Sequence, residues 1–278
     1  MGPSTLPPLI IFAHANGFPA STYSELFTHW RTQGYQVHAI ERLGHDPRFP
    51  VTDGWPHLVE EIHHFIQHDV RPHRDQKVFL VGHSLGGYLS LMVAHRWQGL
   101  ADGVVVLDSP ILNGWRSTAI GWIKRSALID RILPSGISAQ RTHEWPDKAE
   151  ALRHFSSKPK FQAFHPTVLQ DYIRHGTHPH PHQSHVTLAF RREVETAIYR
   201  TMPHALLPAF ASTPHRSPTA FIGGTRSSEL RRAGLSGTRR LFGDQVTWID
   251  GTHLYPFEQP LRTAEEVLNW LRQFSESK

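Results

Sequence analysis

The sequence predicts an α/β fold in which a mostly parallel, doubly wound sheet carries helices on both faces. Six short apolar runs, rich in β-branched residues and bounded by turn residues, have the pattern of strands buried on both faces. Amphipathic helical patterns alternate with these runs, which implies right-handed βαβ units. One long interval breaks this alternation. The predicted strands are residues 9–13, 35–40, 77–81, 103–107, 219–223 and 245–250.

The predicted helices follow the strands along the chain. Apolar residues recur with a period of three to four in the segments that separate the strands, and each such stripe would face the sheet. Gly34 ends the first of these segments. The helical segments of the predicted core are 22–33, 57–69, 85–97 and 262–274.

The interval between the strands at 103–107 and 219–223 contains helical stretches, many prolines, aromatics and histidines, but no strand–helix alternation. A compact domain does not carry a structureless loop of this length. We therefore expect a mainly helical lid, with helices near 116–132, 147–156 and 193–200, inserted between two strands of the C-terminal half of the fold. The predicted domains are a core at 1–112, a lid at 113–215 and the rest of the core at 216–278.

The composition excludes several classes of function. The chain has 278 residues, 39% of them hydrophobic, a net charge of +5 and no cysteine. A disulfide framework, a thiolate zinc site and a cysteine nucleophile are excluded. No basic run points to nucleic acid, and neither a signal peptide nor a membrane span is evident. We expect a soluble, cytoplasmic monomer or homodimer that acts on a small molecule.

The segment GHSLGG, residues 82–87, comes directly after a predicted buried strand and opens a helix. This is the context of the G-x-S-x-G nucleophile elbow, in which a strained serine projects its Oγ above the sheet. The residues two before and two after the serine approach each other closely, so Gly82 and Gly86 are required there. The pattern predicts Ser84 as a nucleophile.

A nucleophilic serine also needs two N–H donors where the oxyanion forms. One would be the N–H of Leu85, directly after the serine. The other would come from the loop after the first strand, AHANGF at residues 13–18, where the N–H of Asn16 is the candidate. His14 is interpreted as a structural residue of this loop.

Position selects one base among the 22 histidines. His253 follows the last predicted strand and completes the chain order serine, acid, histidine. Its imidazole titrates near neutral pH, as a general base requires. His83 lies beside the serine but would point elsewhere on the elbow.

Two carboxylates remain open as the residue that orients His253. The strand before the histidine strand runs into GGTRSSELRRAG, where Ser227 stands at the usual aspartate position and Glu229 is the nearest acid. Asp108, which ends the strand at 103–107, could reach the same imidazole from the neighbouring strand. We prefer Glu229 from the sequence and keep Asp108 as the alternative.

Four histidines, at 178, 180, 182 and 185, are spaced like a metal-binding tract. Pro179 and Pro181 instead favour a rigid, exposed loop, and no carboxylate motif accompanies them. The sequence therefore predicts no metal site.

Taken together, the motifs FAHANGFPASTY (12–23), GHSLGG (82–87), LDSP (107–110) and GTHLYPFEQP (251–260) resemble the α/β-hydrolase superfamily. The closer similarity is to bacterial serine hydrolases with an HANGF oxyanion loop and a helical lid, and it extends loosely into the lid through FRREVETAIYRTMP (190–203). The resemblance implies a Ser-acid-His triad and no cofactor. The chain departs from the family pattern by lacking an N-terminal hairpin and the usual post-strand aspartate.

The expected function is hydrolysis of carboxylic esters with apolar acyl groups, in the manner of a carboxylesterase or lipase, because a serine alkoxide attacks carbonyl carbons. The alternatives are a C–C bond hydrolase of diketone-type substrates with the same triad, and a ligand-binding homologue with little turnover. Aromatic residues of the lid could line the acyl pocket or only pack against the core. They are Trp115, Trp122, Trp145, Phe155, Phe161 and Phe164.

Overall fold

The computed structural model describes residues 6–123, 135–180, 182–212 and 217–276. A six-stranded, all-parallel sheet with the strand order β2-β1-β3-β4-β8-β9 organises the fold. The α/β prediction is confirmed, and each of the six predicted strands is present within two residues of its expected bounds. The strands are β1 (Leu9–Ala13), β2 (Gln36–Ala39), β3 (Val78–His83), β4 (Gly103–Leu107), β8 (Thr219–Gly224) and β9 (Val246–Ile249).

Helices connect these strands and cover the sheet. The helix predicted at 22–33 is preceded by a 3₁₀ turn at Ala20–Tyr23, and the one predicted at 57–69 ends as a π-helix at Phe65–Val70. The helices of the core are α1 (Ser24–Thr32), α2 (Pro56–His64), α3 (Leu85–Arg96), α11 (Ser228–Ala233), α12 (Ser236–Phe242), α13 (Tyr255–Glu258) and α14 (Pro260–Glu276).

Both faces of the sheet are buried, which explains why the strands are apolar without interruption. Ile10 and Phe12 of β1 pack in one cluster with residues of α1 and α14. Leu9 and Ile11 point to the opposite face and pack with residues of α2 and α3. The two-residue alternation of a strand therefore distributes one apolar run between two cores.

The segment between β4 and β8 is mainly helical, as expected, but it also contains a three-stranded antiparallel sheet that the sequence analysis does not predict. Its strands are two or three residues long, too short for an alternating pattern to be recognised. The helix predicted at 116–132 is described only up to Ile123, and its remainder lies outside the described residues. The elements are α4 (Trp115–Ile123), α5 (Ser135–Gln140), β5 (Glu144–Trp145), α6 (Lys148–Ser156), α7 (Pro159–Gln162), α8 (Pro166–Gly176), β6 (Thr177–Pro179), β7 (Val186–Leu188), α9 (Arg192–Arg200) and α10 (Leu206–Ser212).

We refer to residues 113–215 as the cap segment. Its small sheet has the strand order β5-β7-β6 and shares a hydrophobic cluster with α6 and α8, formed around Trp145, Phe155 and Tyr172. The boundaries at 112/113 and 215/216, and the role of the segment as a lid, stay predictions.

The register of the sheet brings several loops to one edge. Ala13 pairs with Gly82, and Leu107 pairs with His83 and Ile222, so β1, β3, β4 and β8 end close together. In open α/β sheets, ligands bind outside the carboxyl ends of the strands. The segments that leave this edge include all the candidate residues of the sequence analysis.

Candidate active site

Ser84 occupies a strained turn between β3 and α3. Its φ of 53° and ψ of −112° lie outside the regions that non-glycine residues normally adopt. A Cβ at Gly82 would lie 2.1 Å from the carbonyl oxygen of Gly86, and one at Gly86 would lie 1.9 Å from that of Ala13. These contacts explain the two glycines and place the elbow against the end of β1.

Two hydrogen bonds to the backbone groups of Ser84 hold the strained serine in position. Its N–H donates to the carbonyl of Leu107 at 2.9 Å, and its carbonyl accepts from Ser109 Oγ at 2.6 Å. Both partners come from the end of β4, the neighbouring strand. Strain of this kind persists only where the surrounding structure enforces it, and it is concentrated at functional sites.

The structure brings Ser84, His253 and Asp108 into one hydrogen-bonded row. Ser84 Oγ lies 3.0 Å from His253 Nε2, and His253 Nδ1 lies 2.7 Å from Asp108 Oδ1. The carboxylate accepts a hydrogen bond from Nδ1–H, which leaves the lone pair of Nε2 free to accept the proton of the serine. This is the arrangement that activates a serine hydroxyl as a nucleophile.

The loop that carries His253 is positioned by β8. A Cβ at Gly224 would lie 2.5 Å from the carbonyl oxygen of Thr252, so only glycine permits this approach. Thr225 N–H donates to the carbonyl of Ile249 at 2.9 Å, and Tyr255 Oη donates to that of Ile222 at 2.9 Å.

Asp108 is fully buried, and each of its oxygens has a partner. Oδ1 accepts from Ser227 Oγ at 2.7 Å in addition to His253, and Oδ2 accepts from the N–H of Gly224 at 2.7 Å. Its φ of 47° is left-handed, which is a second strained position at this edge of the sheet. A buried carboxylate is tolerated when it is paired and hydrogen-bonded in this way.

This geometry corrects the preference for Glu229 over Asp108. Within the described ranges, Glu229 accepts a hydrogen bond from Ser228 Oγ at 2.8 Å and none from His253. The reason is that Ser227 begins α11 as its N-cap, with Oγ accepting from Leu230 N–H. Glu229 is thereby placed in the first turn of that helix, two residues after Ser227, whose hydroxyl donates to Asp108.

The electrostatics of the site favour a charged imidazole. Burial alone would lower the pKa of His253, but the hydrogen bond and charge of Asp108, supplemented by the charge of Glu229, raise it above its usual value. Burial would likewise raise the pKa of the Glu229 carboxyl, but the charge of His253 and the hydrogen bond from Ser228 lower it. Glu229 therefore interacts with His253 through its field without contacting it.

The N–H groups of Asn16 and Leu85 stand at the same edge as Ser84. Leu85 is the first residue of α3, where helical N–H groups have no partner inside the helix. Asn16 lies in the loop after β1, and its Nδ2 donates to the carbonyl of Glu195 at 2.9 Å. Within the described part of the chain, neither N–H donates a hydrogen bond.

His83 and Tyr23 connect the oxyanion loop to the histidine loop. The N–H of Ala15 donates to Tyr23 Oη at 3.1 Å, and Tyr23 Oη donates to His83 Nδ1 at 2.8 Å. His83 Nε2 donates to the carbonyl of His253 at 2.9 Å. Burial, aided by the charge of His253, lowers the pKa of His83 well below its usual value, so the ring stays neutral and this chain of bonds persists.

Tyr23 does not stand out in the sequence, because there it is one more apolar residue in the stripe of the first predicted helix. His14 has the structural position that was expected. It is fully buried, its Nδ1 donates to the carbonyl of Ala15, and its Nε2 accepts from Leu43 N–H. Burial lowers its pKa to about 4.

The cap segment contacts the loop of Asn16 through a partly buried ion pair. Arg141 donates to Glu195 Oε2 at 2.8 Å and to Tyr172 Oη at 2.8 Å. A Cβ at Gly17 would lie 3.0 Å from Glu195 Oε1, so this pair packs directly on the loop of Asn16.

The six aromatic residues considered for the acyl pocket divide into two groups. Trp115 and Trp122 are 74% and 72% exposed, so they do not line an enclosed pocket in this conformation. The other four, Trp145, Phe155, Phe161 and Phe164, pack in a ring cluster. Phe161 and Phe164 meet Phe18 of the oxyanion loop with ring centroids 6.3 and 6.2 Å apart.

No helix within the described ranges is both long enough and apolar enough to cross a membrane.

Residues 10–266 match the sequence model of the alpha/beta hydrolase family. Human monoglyceride lipase is 28% identical over 142 residues, and the mouse protein is 26% identical over 138 residues. Each match covers 48% of this chain and 45% of the relative, so the chain matches less than half the length of these proteins.

Among solved structures, E-2-(acetamidomethylene)succinate hydrolase superposes with a TM-score of 0.74 at 19% sequence identity. The superposition covers 95% of this chain and 91% of that one. At this identity the likeness shows a shared fold.

Proposed function

We propose that this chain, which belongs to the alpha/beta hydrolase family, is a serine hydrolase that cleaves carboxylic esters through a covalent acyl-enzyme. The observation that carries the proposal is the row of hydrogen bonds from Ser84 Oγ to His253, at 3.0 Å, and from His253 to Asp108, at 2.7 Å.

In the first half-reaction, Ser84 Oγ attacks the carbonyl carbon of the ester while His253 Nε2 takes the hydroxyl proton. The N–H groups of Asn16 and Leu85 stabilise the oxyanion that forms. The bond between the carbonyl carbon and the leaving oxygen then breaks, and His253 gives its proton to the departing alcohol.

In the second half-reaction, water replaces the alcohol. His253 takes a proton from water, the water oxygen attacks the acyl carbon, and Ser84 leaves with a proton returned by His253. Asp108 stays ionised throughout and stabilises the imidazolium that forms twice in each cycle. No cofactor is required by these steps.

The cap segment is proposed to close over the acyl group. Phe161 and Phe164 lie against Phe18, which closely follows Asn16 along the chain. An apolar acyl chain that extends from the carbonyl carbon toward this loop would contact these aromatic rings. The similarity to monoglyceride lipases, proteins whose name denotes ester hydrolysis, supports this class of substrate.

Hydrolysis of p-nitrophenyl esters of graded acyl length tests the proposal. We expect turnover by the purified protein, and Ser84→Ala should lower kcat by about 10³-fold or more. Turnover that survives in Ser84→Ala would remove Ser84 from the role of nucleophile.

Two further outcomes would replace the proposed reaction while keeping the fold. Turnover of a vinylogous diketone in preference to every ester would assign the same three residues to C–C bond hydrolysis. Tight ligand binding without covalent labelling by a fluorophosphonate would indicate a binding protein.

A further inference from the structure

The small sheet of the cap segment gathers two histidines and a glutamate at one point. The hydrogen bond from the N–H of His180 to the carbonyl of His185, at 2.8 Å, extends the β6–β7 ladder by one pair beyond Pro179 and Val186. The two imidazole rings are 4.5 Å apart between centroids.

The carboxylate comes from a different strand. Glu144 of β5 pairs with Thr187 of β7, two residues from His185 and therefore on the same face of the sheet. The sequence analysis finds no carboxylate near the histidine tract because Glu144 is distant along the chain and only strand pairing brings it there.

The ligand atoms of Glu144, His180 and His185 all lie within 4.8 Å of one another. Glu144 Oε2 is 3.8 Å from His185 Nε2, which is too far for a hydrogen bond. Ligand atoms about 2.0–2.1 Å from a tetrahedral ion are separated by roughly 3.4 Å, so small side-chain rotations would close this set around a cation.

The unsatisfied atom of the cluster points to a ligand. His185 Nε2 is buried and, among the described residues, has no hydrogen-bond partner. Buried polar atoms are normally satisfied, and an orphaned one requires an explanation such as an ion. His180 Nδ1 accepts a 3.2 Å hydrogen bond from His182 N–H, and an ion bound at this nitrogen would replace that long bond.

We propose that Glu144, His180 and His185 bind one divalent transition-metal ion of the Zn²⁺ type. Two imidazoles and one carboxylate are ligands that Zn²⁺, Ni²⁺ and Cu²⁺ accept, and the half-exposed position leaves a further coordination site to water. The ion would join β5 to the β6–β7 hairpin and so stabilise the cap segment. This inference does not depend on the proposed hydrolase activity.

Zn²⁺ titration of the full-length, chelator-treated protein, with a metallochromic indicator, tests the site. We expect one tight equivalent, and Glu144→Gln or His180→Ala should weaken it at least about 10-fold, since even outer-shell changes cost this much. The matched control is His64→Ala, which disrupts another close histidine pair, with His68 at 4.3 Å between rings. That variant should keep the tight equivalent.

A second readout separates binding at this site from loss of folding. Co²⁺ should give the visible absorption of a low-coordinate site in the wild type and not in Glu144→Gln, whose far-ultraviolet circular dichroism should be unchanged. Tight binding that survives in Glu144→Gln, or that His64→Ala abolishes, would show that other histidines of the chain hold the ion and would overturn the proposal. So would the absence of any tight equivalent in the wild type.

Discussion

Two acidic residues follow strands of this sheet near His253, and the surrounding structure fixes their carboxylates in different ways. At the end of β4, Asp108 is fully buried, left-handed and fixed by Ser227 and by the N–H of Gly224. After β8, Glu229 is half-buried in the first turn of a helix, and its carboxylate accepts a hydrogen bond from its neighbour Ser228.

The hydrogen bonds that fix the Asp108 carboxylate distinguish it from Glu229 as the acid that orients His253. Ser227 stands where the sequence pattern leads one to expect an aspartate, and its hydroxyl donates to the carboxylate of the adjacent strand. The carboxylate expected from the segment after β8 is therefore supplied by Asp108, at the end of β4. Glu229 is left to act on the imidazole through its charge alone.

The largest expected effect comes from removing the charge of Asp108. Asp108→Asn should lower kcat on an activated ester by roughly 10³-fold. The N–H of Gly224 would keep the amide oxygen on its side, so the amide NH2 would face His253 Nδ1 and favour the wrong tautomer of the imidazole. Steady-state kinetics with a folded variant measure this. Glu229→Gln is the matched control, and a greater loss in it than in Asp108→Asn would reverse the assignment of the acid.

A smaller loss is expected when the link between the two loops is cut. Tyr23→Phe removes the hydrogen-bond partner of Ala15 N–H and of His83 Nδ1. The His83 ring can then shift, and so can the carbonyl of His253 that accepts from it. We expect kcat to fall roughly 10-fold, less than the 10²-fold that a displacement of about one ångström can cost, while KM changes little. A fall in stability with kcat unchanged would show that Tyr23 serves only the fold.

Ser227→Ala tests the side-chain hydrogen bond that Ser227 donates to Asp108 and not to Glu229. The variant removes a hydrogen bond to a charged group, so kcat should fall by up to about tenfold. It also removes the N-cap of α11, at a cost of about 1 kcal/mol in the free energy of unfolding. Urea denaturation and ester kinetics measure the two effects separately. Unchanged kcat would mean that Gly224 alone suffices to fix Asp108.

The smallest effect concerns the field of Glu229. The base works only when neutral, so activity should decline as the pH falls through the raised pKa of His253. Glu229→Gln removes a charge that raises this pKa, and the acid limb of kcat/KM should move to lower pH, with kcat changed by less than about fivefold. An acid limb that stays at the same pH in Glu229→Gln would show that solvent screens the charge of Glu229 from the imidazole.

The core and the strained turn at Ser84 could be predicted because their signals are local. Continuous apolar runs and the spacing of Gly82, Ser84 and Gly86 each follow from constraints within a few residues, and the family match confirms the fold. Contacts between neighbouring strands, in contrast, join residues that are distant along the chain. The choice of Asp108 depends on the approach of Ser227, more than 100 residues away along the chain.

The cap segment was harder to predict for the same reason. Its small sheet is built from strands of two or three residues, so no periodicity reveals it, and the position of Glu144 beside His185 depends entirely on that pairing. Trp115 and Trp122 are of a residue type that commonly lines apolar pockets, yet their side chains are exposed. Composition identifies which residues could line a site and does not give their direction.

The rate at which a fluorophosphonate labels the protein, with the adduct located by mass spectrometry, tests the catalytic row most directly because it requires no knowledge of the substrate. We predict one label, on Ser84, formed at similar rates in the wild type and Glu229→Gln and about 10³-fold more slowly in Asp108→Asn. A label on another residue, or equal rates in the wild type and Asp108→Asn, would contradict the account.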